Sequence, residues 1–415
     1  MTRLVQNNLS DYLAISEAFV RLHERDGFAR LPSSSLLHEN LPTSFVMSAG
    51  LVQVEHNLEQ IVRDTGGKFT FTQPCFRSFD MAQVGNDRTH LSLFHMSAAF
   101  HIGSCQRETL LPRLWHFLTE ILRLEKNRLW VTYLDDPHLG KDEASYACWQ
   151  QIGVDKQHLL GQPREHNFWQ QKKTGQIAKD GRKCGSHTEV FYERPTHFYH
   201  CPTPETCSPH CHCGRFIEVS NSLFIEDYLA DDGSLLKAEH IFSECVIGIE
   251  RLMLVLENAE DIHHIKQLQP YRSILLEAAK PHDDVQALHR HLNIIQDHLH
   301  AFATLYQHGA PEPGRGGRAR LMKQLARGAM THAILAGIDL DQAMLQRLLP
   351  NRESTTNCLL VAYKKYAKSL QKGQRMLEQF SNKQKGTIDD ALRKTIKTQC
   401  GMPDELINFW LKSCL

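Results

Sequence analysis

Apolar residues recur at helical spacing near both ends of the chain and alternate in the strand manner between them. Residues 9–24 place Leu13, Phe19, Val20 and Leu22 on one face, with Asn8 or Ser10 as the cap, and predict a helix. Residues 42–50 lead into a second helical stretch ending near Leu58. Residues 68–77 and 91–96 alternate as two strands around a polar loop over 78–88, with 31–37 as a loop into a short strand. Leu110, Leu111, Leu114, Trp115, Leu118, Ile121 and Leu122 mark an amphipathic helix over 108–124. Strands follow over 128–134, 187–192 and 216–224, with a helix over 142–151. Residues 242–256 begin as a strand, turn at Gly248 and continue as an apolar helix headed by Arg251.

Beyond residue 258 the pattern changes. A connection over 258–269 leads to helical periodicity over 285–307, 319–335, 340–349, 357–383 and 388–398, with a Gly- and Pro-rich loop at 309–317. The expected organisation is an α+β domain over 1–258, an antiparallel sheet with flanking helices, followed by an all-helical domain over 259–415.

Composition narrows this picture. The 415 residues are enough for two or three domains with substantial cores. Lys plus Arg and Asp plus Glu are equal at 47 each, so a basic surface for a polyanion must be local. There is no run of about 18 apolar residues and no apolar signal core at the start, so a cytoplasmic protein without a membrane span is expected. In that setting the 12 cysteines are thiols or metal ligands rather than a disulfide frame. Cys201, Cys207, Cys211 and Cys213 suit a closed tetrahedral zinc site in an insertion over 200–213, with His200, His210 or His212 able to replace one thiolate. The plain alternative is a loop of free thiols.

Candidate anion contacts cluster too. Arg315, Arg318, Arg320, Lys323 and Arg327 form a basic stripe starting in the Gly-rich loop, and Lys364, Lys365, Lys368 and Lys372 form another. Either suits RNA phosphates, or is a solvated helix face. The 68–96 hairpin is either solvent-facing or carries Arg77 and Phe94 inward, a cation for a phosphate and a ring for a base. Arg251 beside Glu250 alone reads as a surface ion pair, and Trp169 alone as a core residue. In an ideal strand Glu218 and Asn221 face opposite sides, so one site holding both requires a β-bulge.

Taken in order, these stretches resemble the alanyl-tRNA synthetases, a family of class II aminoacyl-tRNA synthetases. Residues 42–50 resemble the family's first motif, Cys75-Phe-Arg77 through Phe94-His-Met96 its second, and Gly248-Ile-Glu-Arg-Leu252 its third. Arg128-Leu-Trp-Val-Thr132, Asn167-Phe-Trp169, Cys184-Gly-Ser-His187 and Glu218-Val-Ser-Asn221 follow the family order, and the Arg stripe resembles its tRNA-recognition region. The resemblance implies that Arg77 holds the α-phosphate of ATP, Arg251 the distal phosphates, Phe94 the adenine and Glu218 a Mg2+ ion. It places Trp169, Asn221, Glu244, Val246 and Gly248 around the amino acid. It implies a small amino acid and ATP as substrates and tRNA as acceptor, with no DNA partner and no editing or C-terminal domain.

Departures qualify the substrate. Glu244 stands for an Asp, Val246 for a Gly and His95 for a Glu. The loop after Arg77 is short, and Pro311-Glu-Pro-Gly314 replaces the Asn-bearing loop that reads the tRNA acceptor stem. Delivery to a carrier protein or small metabolite, and a non-catalytic tRNA- or partner-binding role, are therefore carried as alternatives. The sequence leaves the amino acid and the oligomeric state open.

Overall fold

The computed structural model describes residues 11–39, 41–49, 51–171, 182–383 and 388–413. The expected start of the first helix, with its caps Asn8 and Ser10, lies outside these residues, as does Gly50 at the end of the first motif. The chain divides into two compact units. One comprises Met1–Ser35, Val46–Phe76 and Phe94–Gln267; the other comprises Leu36–Phe45, Arg77–Leu93 and Leu268–Leu415.

The first unit begins with α1 (Tyr12–Glu24), capped by the Asp11 carboxylate, then β1 (Ala29–Arg30), α2 (Leu51–Thr65), β2 (Lys68–Phe76) and β3 (Leu93–Ile102). Helix α3 (Arg107–His116) holds only the first half of the expected 108–124 helix; the rest, Phe117–Ile121, is a wider π turn. Then come β4 (Leu129–Asp136), β5 (Gly140–Lys141), α4 (Glu143–Ile152), β6 (Leu159–Gln162), the one-turn α5 (Arg164–Asn167) and β7 (Phe168–Gln170). The last three strands are β8 (Arg182–Glu193), β9 (Phe216–Leu229) and β10 (Leu235–Gly248), and α6 (Ile249–Leu256) follows them.

These strands form one sheet in the order β1-β2-β3-β10-β9-β8-β4-β5, with β6 beside β4 and β7 beside β8. The centre is antiparallel, as the alternation predicts; the parallel pairs β1–β2 and β4–β6 make the whole sheet mixed. Phe69, Phe71 and Phe100 stack over one another with centroids 5.0–6.1 Å apart. They pack with Ala98, Leu223, Phe242 and Val246 into a core against the middle strands. Burial on both faces is confined to residues 242–247 of β10, where Ser243 and Glu244 are buried among Phe242, Cys245, Val246 and Ile247.

The second unit is helical: α7 (Gln269–Ala278), α8 (Val285–Gln307), α9 (Gly317–Leu335), α10 (Gln342–Leu348), α11 (Glu353–Lys383), α12 (Asp390–Cys400) and α13 (Asp404–Ser413). Five of these answer to the periodic stretches; α7 and α13 are additional. Leu335, Tyr366, Leu370, Leu377, Ile396, Leu406 and Ile407 form one of its cores. The loop after Arg77 belongs to this unit. Asp297 of α8 accepts from the Ser92 backbone N–H at 2.8 Å and from its hydroxyl at 2.6 Å, and Arg290 donates to Asn86 at 2.9 Å.

Candidate functional site

The sheet centre turns a polar row onto one face. Glu189 of β8 lies opposite Asn221 of β9, Asn221 opposite Val246 of β10, and Val246 opposite Ala98 of β3. The neighbouring row runs His187, Leu223, Glu244, Phe100. Ser220 pairs with Val190, but the next pair is Glu218 with Phe191, leaving Val219 as an extra residue. This is the bulge that the parity of Glu218 and Asn221 requires. Phe191 and Glu189 share a face of β8, so their partners Glu218 and Asn221 now share one as well.

Arg251, in the first turn of α6, donates to a Glu218 carboxylate oxygen at 2.8 Å and to the Glu218 carbonyl at 3.3 Å. It does not pair with its neighbour Glu250. The buried Glu250 instead accepts from the His95 backbone N–H at 2.8 Å and meets His95 Nδ1 at 2.7 Å, with the Tyr12 ring 4.4 Å from the imidazole. Gly248 is extended at φ −91°, and a Cβ there would touch Arg251 only at 3.8 Å, so neither strain nor crowding demands a glycine. Trp169 is half-buried against the core cluster that contains Val246. Glu244 and Val246 are both buried. Phe94 lies on β3, and Arg77 follows β2 and donates its backbone N–H to Ser92 O at 2.9 Å.

One residue of this row was not among the sequence candidates. Glu189 is buried, and burial, then the Glu218 carboxylate, holds its carboxyl well above the usual range. Asn221 Nδ2 donates to it at 3.2 Å and Thr132 Oγ1 at 3.4 Å. Asn221 Nδ2 is also 3.1 Å from His187 Nδ1, which then accepts. Burial pushes His187 down to about 4, so it is neutral. Besides the resemblance around Cys184–His187, the signal for this pair was two polar residues at strand spacing, His187 and Glu189.

The four cysteines gather as their spacing suggests. The sulfurs of Cys201, Cys207, Cys211 and Cys213 lie within 4.8 Å of one another, with Cys201–Cys211 at 3.8 Å and Cys207–Cys213 at 3.6 Å. Tetrahedral zinc with bonds of about 2.3 Å separates its sulfurs by roughly 3.8 Å, so this donor set fits the ion. His210, from the same loop, stacks on His166 with ring centroids 3.9 Å apart, and its Nε2 points to Glu189 Oε2 at 3.9 Å.

Residues 14–413 match the family model described as tRNA synthetases class II (A). The chain belongs to this family. The alanine–tRNA ligase of Dehalococcoides mccartyi is 26% identical over 388 residues, covering 90% of this chain and 43% of the relative. That of Thermotoga petrophila is 27% identical over 410 residues, covering 94% and 45%. The chain therefore spans less than half the length of these relatives. A crystal structure of apo histidyl-tRNA synthetase from S. aureus aligns with a TM-score of 0.36 at 12% identity, over 64% of this chain and 74% of that one.

In the helical unit the basic stripe has unequal members. Arg315 and Arg320 are exposed. Lys323 is half-buried and pushed down by that burial and by Arg327, Arg315 and Arg320, a local positive field in a chain of zero net charge. Arg327 lies over the Tyr366 ring at 4.7 Å. Arg318 donates to the carbonyls of Ser44, His38 and Leu41 at 2.6–2.7 Å. Its guanidinium is thus held by backbone carbonyls of its own unit. Among the described residues no helix is long and apolar enough to cross a membrane.

Proposed function

We propose that this chain activates a small amino acid with ATP as an aminoacyl-adenylate and transfers the acyl group to tRNA. The amino-acid carboxylate attacks the α-phosphorus in line; one P–O bond forms as the bond to pyrophosphate breaks. The nucleophile is already ionised, so the chemistry requires cationic contacts at the phosphates rather than a general base. On the resemblance, Arg77 serves the α-phosphate, Arg251 the distal phosphates and Phe94 the adenine. Arg251 and Glu218, which hold each other here, would part as one takes phosphate and the other Mg2+. The ion supplies neutralisation of the phosphate charge when bound.

The Val219 bulge is the observation that carries this reading. Without it Glu218 faces away from Asn221, and an ATP contact and an amino-acid contact fall on opposite sides of the sheet. Beside them, the buried Glu244 is assigned to the substrate ammonium, since a buried cation requires a paired carboxylate. Val246, opposite Asn221, narrows the space for the side chain and favours glycine or alanine, then serine. The Cys201, Cys207, Cys211 and Cys213 thiolates are assigned to structural Zn2+, and the Arg315–Arg320–Lys323–Arg327 face to tRNA phosphates.

Amino-acid-dependent ATP–pyrophosphate exchange tests the activation step. The expected substrates are glycine, alanine and serine, and Val246→Gly should move the rate ratio towards alanine or serine. Arg251→Ala should lower exchange about a hundredfold, the loss of one charged transition-state contact. Exchange without acylation of tRNA would move the acceptor to a carrier protein or metabolite. No exchange with any amino acid by the folded protein would leave a binding role.

A further inference from the structure

The helical unit carries a second cluster of metal-ligating side chains, unrelated to the cysteine loop and to the sheet face. His291 projects from α8, His332 from the last turns of α9 and Glu405 from the first turn of α13. Their donor atoms lie within 4.8 Å of one another. His291 Nδ1 and His332 Nδ1 are 2.9 Å apart, and Glu405 Oε2 is 3.9 Å from His332 Nδ1. His291 is buried and His332 nearly so, whereas Glu405 is 46% exposed at its side chain. The cluster is therefore walled by two imidazoles and open to solvent at the carboxylate.

We propose that His291, His332 and Glu405 form a binding site for a divalent transition-metal ion of the zinc class, with a solvent-facing fourth position. Imidazole and carboxylate donors of this kind and number are those of open zinc sites. Two Nδ1 atoms 2.9 Å apart subtend about a right angle at an ion bound at about 2.05 Å, and an opening of roughly 0.4 Å gives the tetrahedral angle. Without an ion, one ring donates to the other across this gap. With one, both rings take the Nε2–H tautomer, so that both Nδ1 lone pairs face the metal and no net proton is released. Burial already keeps both rings neutral, the form a metal requires.

The surroundings support the carboxylate as a ligand. Arg290 Nη2 holds the other Glu405 oxygen at 3.1 Å and its Nη1 reaches Oε2 at 3.4 Å, while its Nε donates to Asn86. A ligating carboxylate steadied from behind is the usual outer arrangement of metal sites. Arg290 is also the one positive side chain among these contacts; its shorter contact is to Oε1, and Oε2 lies between the guanidinium and the imidazoles. An ion here would tie α13, the last helix described, to α8 and α9.

Co2+ titration of the chelator-stripped full chain tests this directly. Cobalt bound by thiolates gives intense near-ultraviolet charge-transfer bands; cobalt bound by imidazole and carboxylate gives only weak visible bands. Two binding phases are expected, and His291→Asn and Glu405→Gln should each abolish the one without charge-transfer bands. Glu405→Gln is half-exposed and keeps its packing, so far-ultraviolet circular dichroism should be unchanged in it. A phase without charge-transfer bands that survives both variants, or its absence from wild type, overturns the site. Loss of the thiolate phase alone concerns only the cysteine loop.

Discussion

Glu189 is a carboxyl group placed where its charge is unwelcome. Its pKa is raised in the folded state, so the folded chain keeps a proton that the unfolded chain releases above about 4.5. Its contribution to stability is full below that value and is lost as pH rises towards the folded pKa, at up to about 1.4 kcal/mol per pH unit. Gln has the shape of the protonated acid and does not ionise. Urea denaturation of Glu189→Gln should therefore show stability close to wild type at pH 5 and a growing advantage towards pH 7. An advantage that shrinks over this range would show that Glu189 is ionised in the fold. The sequence did not single this residue out because its environment is made by strands distant along the chain. Trp169 and Val246, by contrast, stood out only through the resemblance. The structure places both at one core cluster, which periodicity alone does not predict.

At the scale of elements, β8 crosses β9 closely at Gly185. A Cβ there would lie 1.8 Å from the Phe224 carbonyl oxygen, a backbone atom that cannot turn aside. Gly185→Ala should cost about 3 kcal/mol or more, read from the urea midpoint, because the strands must separate. Trp169 pairs opposite this glycine, so the same variant should shift its fluorescence. The cysteine loop makes a second prediction. Cys207→Ser should lose zinc by elemental analysis of untagged protein and become sensitive to proteases between residues 200 and 213; less than about a tenth of an equivalent in wild type would remove the zinc assignment. Long elements were legible: the 285–307 periodicity is α8 itself. Helices α7 and α13 were not, although the seven-residue α10 was, so length alone does not decide legibility. The bulge was legible as a condition, from parity alone, but its place at Val219 required the partner strand.

Across the whole molecule, zero net charge means that any hold on RNA is local and salt-sensitive. Arg315→Ala and Arg320→Ala should each weaken tRNA binding and reduce the slope of log affinity against log salt by about one. Arg318→Ala should act through stability instead, by about 2–3 kcal/mol, because three carbonyls lose a charged donor. Filter binding at several salt concentrations, beside thermal melting, separates the two; an equal salt-slope change for Arg318 would place it among the RNA contacts. Sequence spacing put all of these cations on one stripe but could not tell which had a backbone partner, since those carbonyls lie more than 270 residues away.

The helical unit draws on Leu36–Phe45 and Arg77–Leu93 as well as on the chain after Leu268. Its construction therefore runs from the synthesis of residue 36 to that of the helices after residue 268. The first two stretches leave the ribosome long before Asp297 and Arg318 exist to receive them, and must wait without those partners. A nascent chain halted before α8 is complete should be more readily cut around residues 77–93 than the finished one. A gene fragment starting at residue 268 would make helices that lack Ser92 for Asp297 and the Ser44 carbonyl for Arg318. Supplying residues 36–93 in trans is the way to ask whether the missing pieces can be returned.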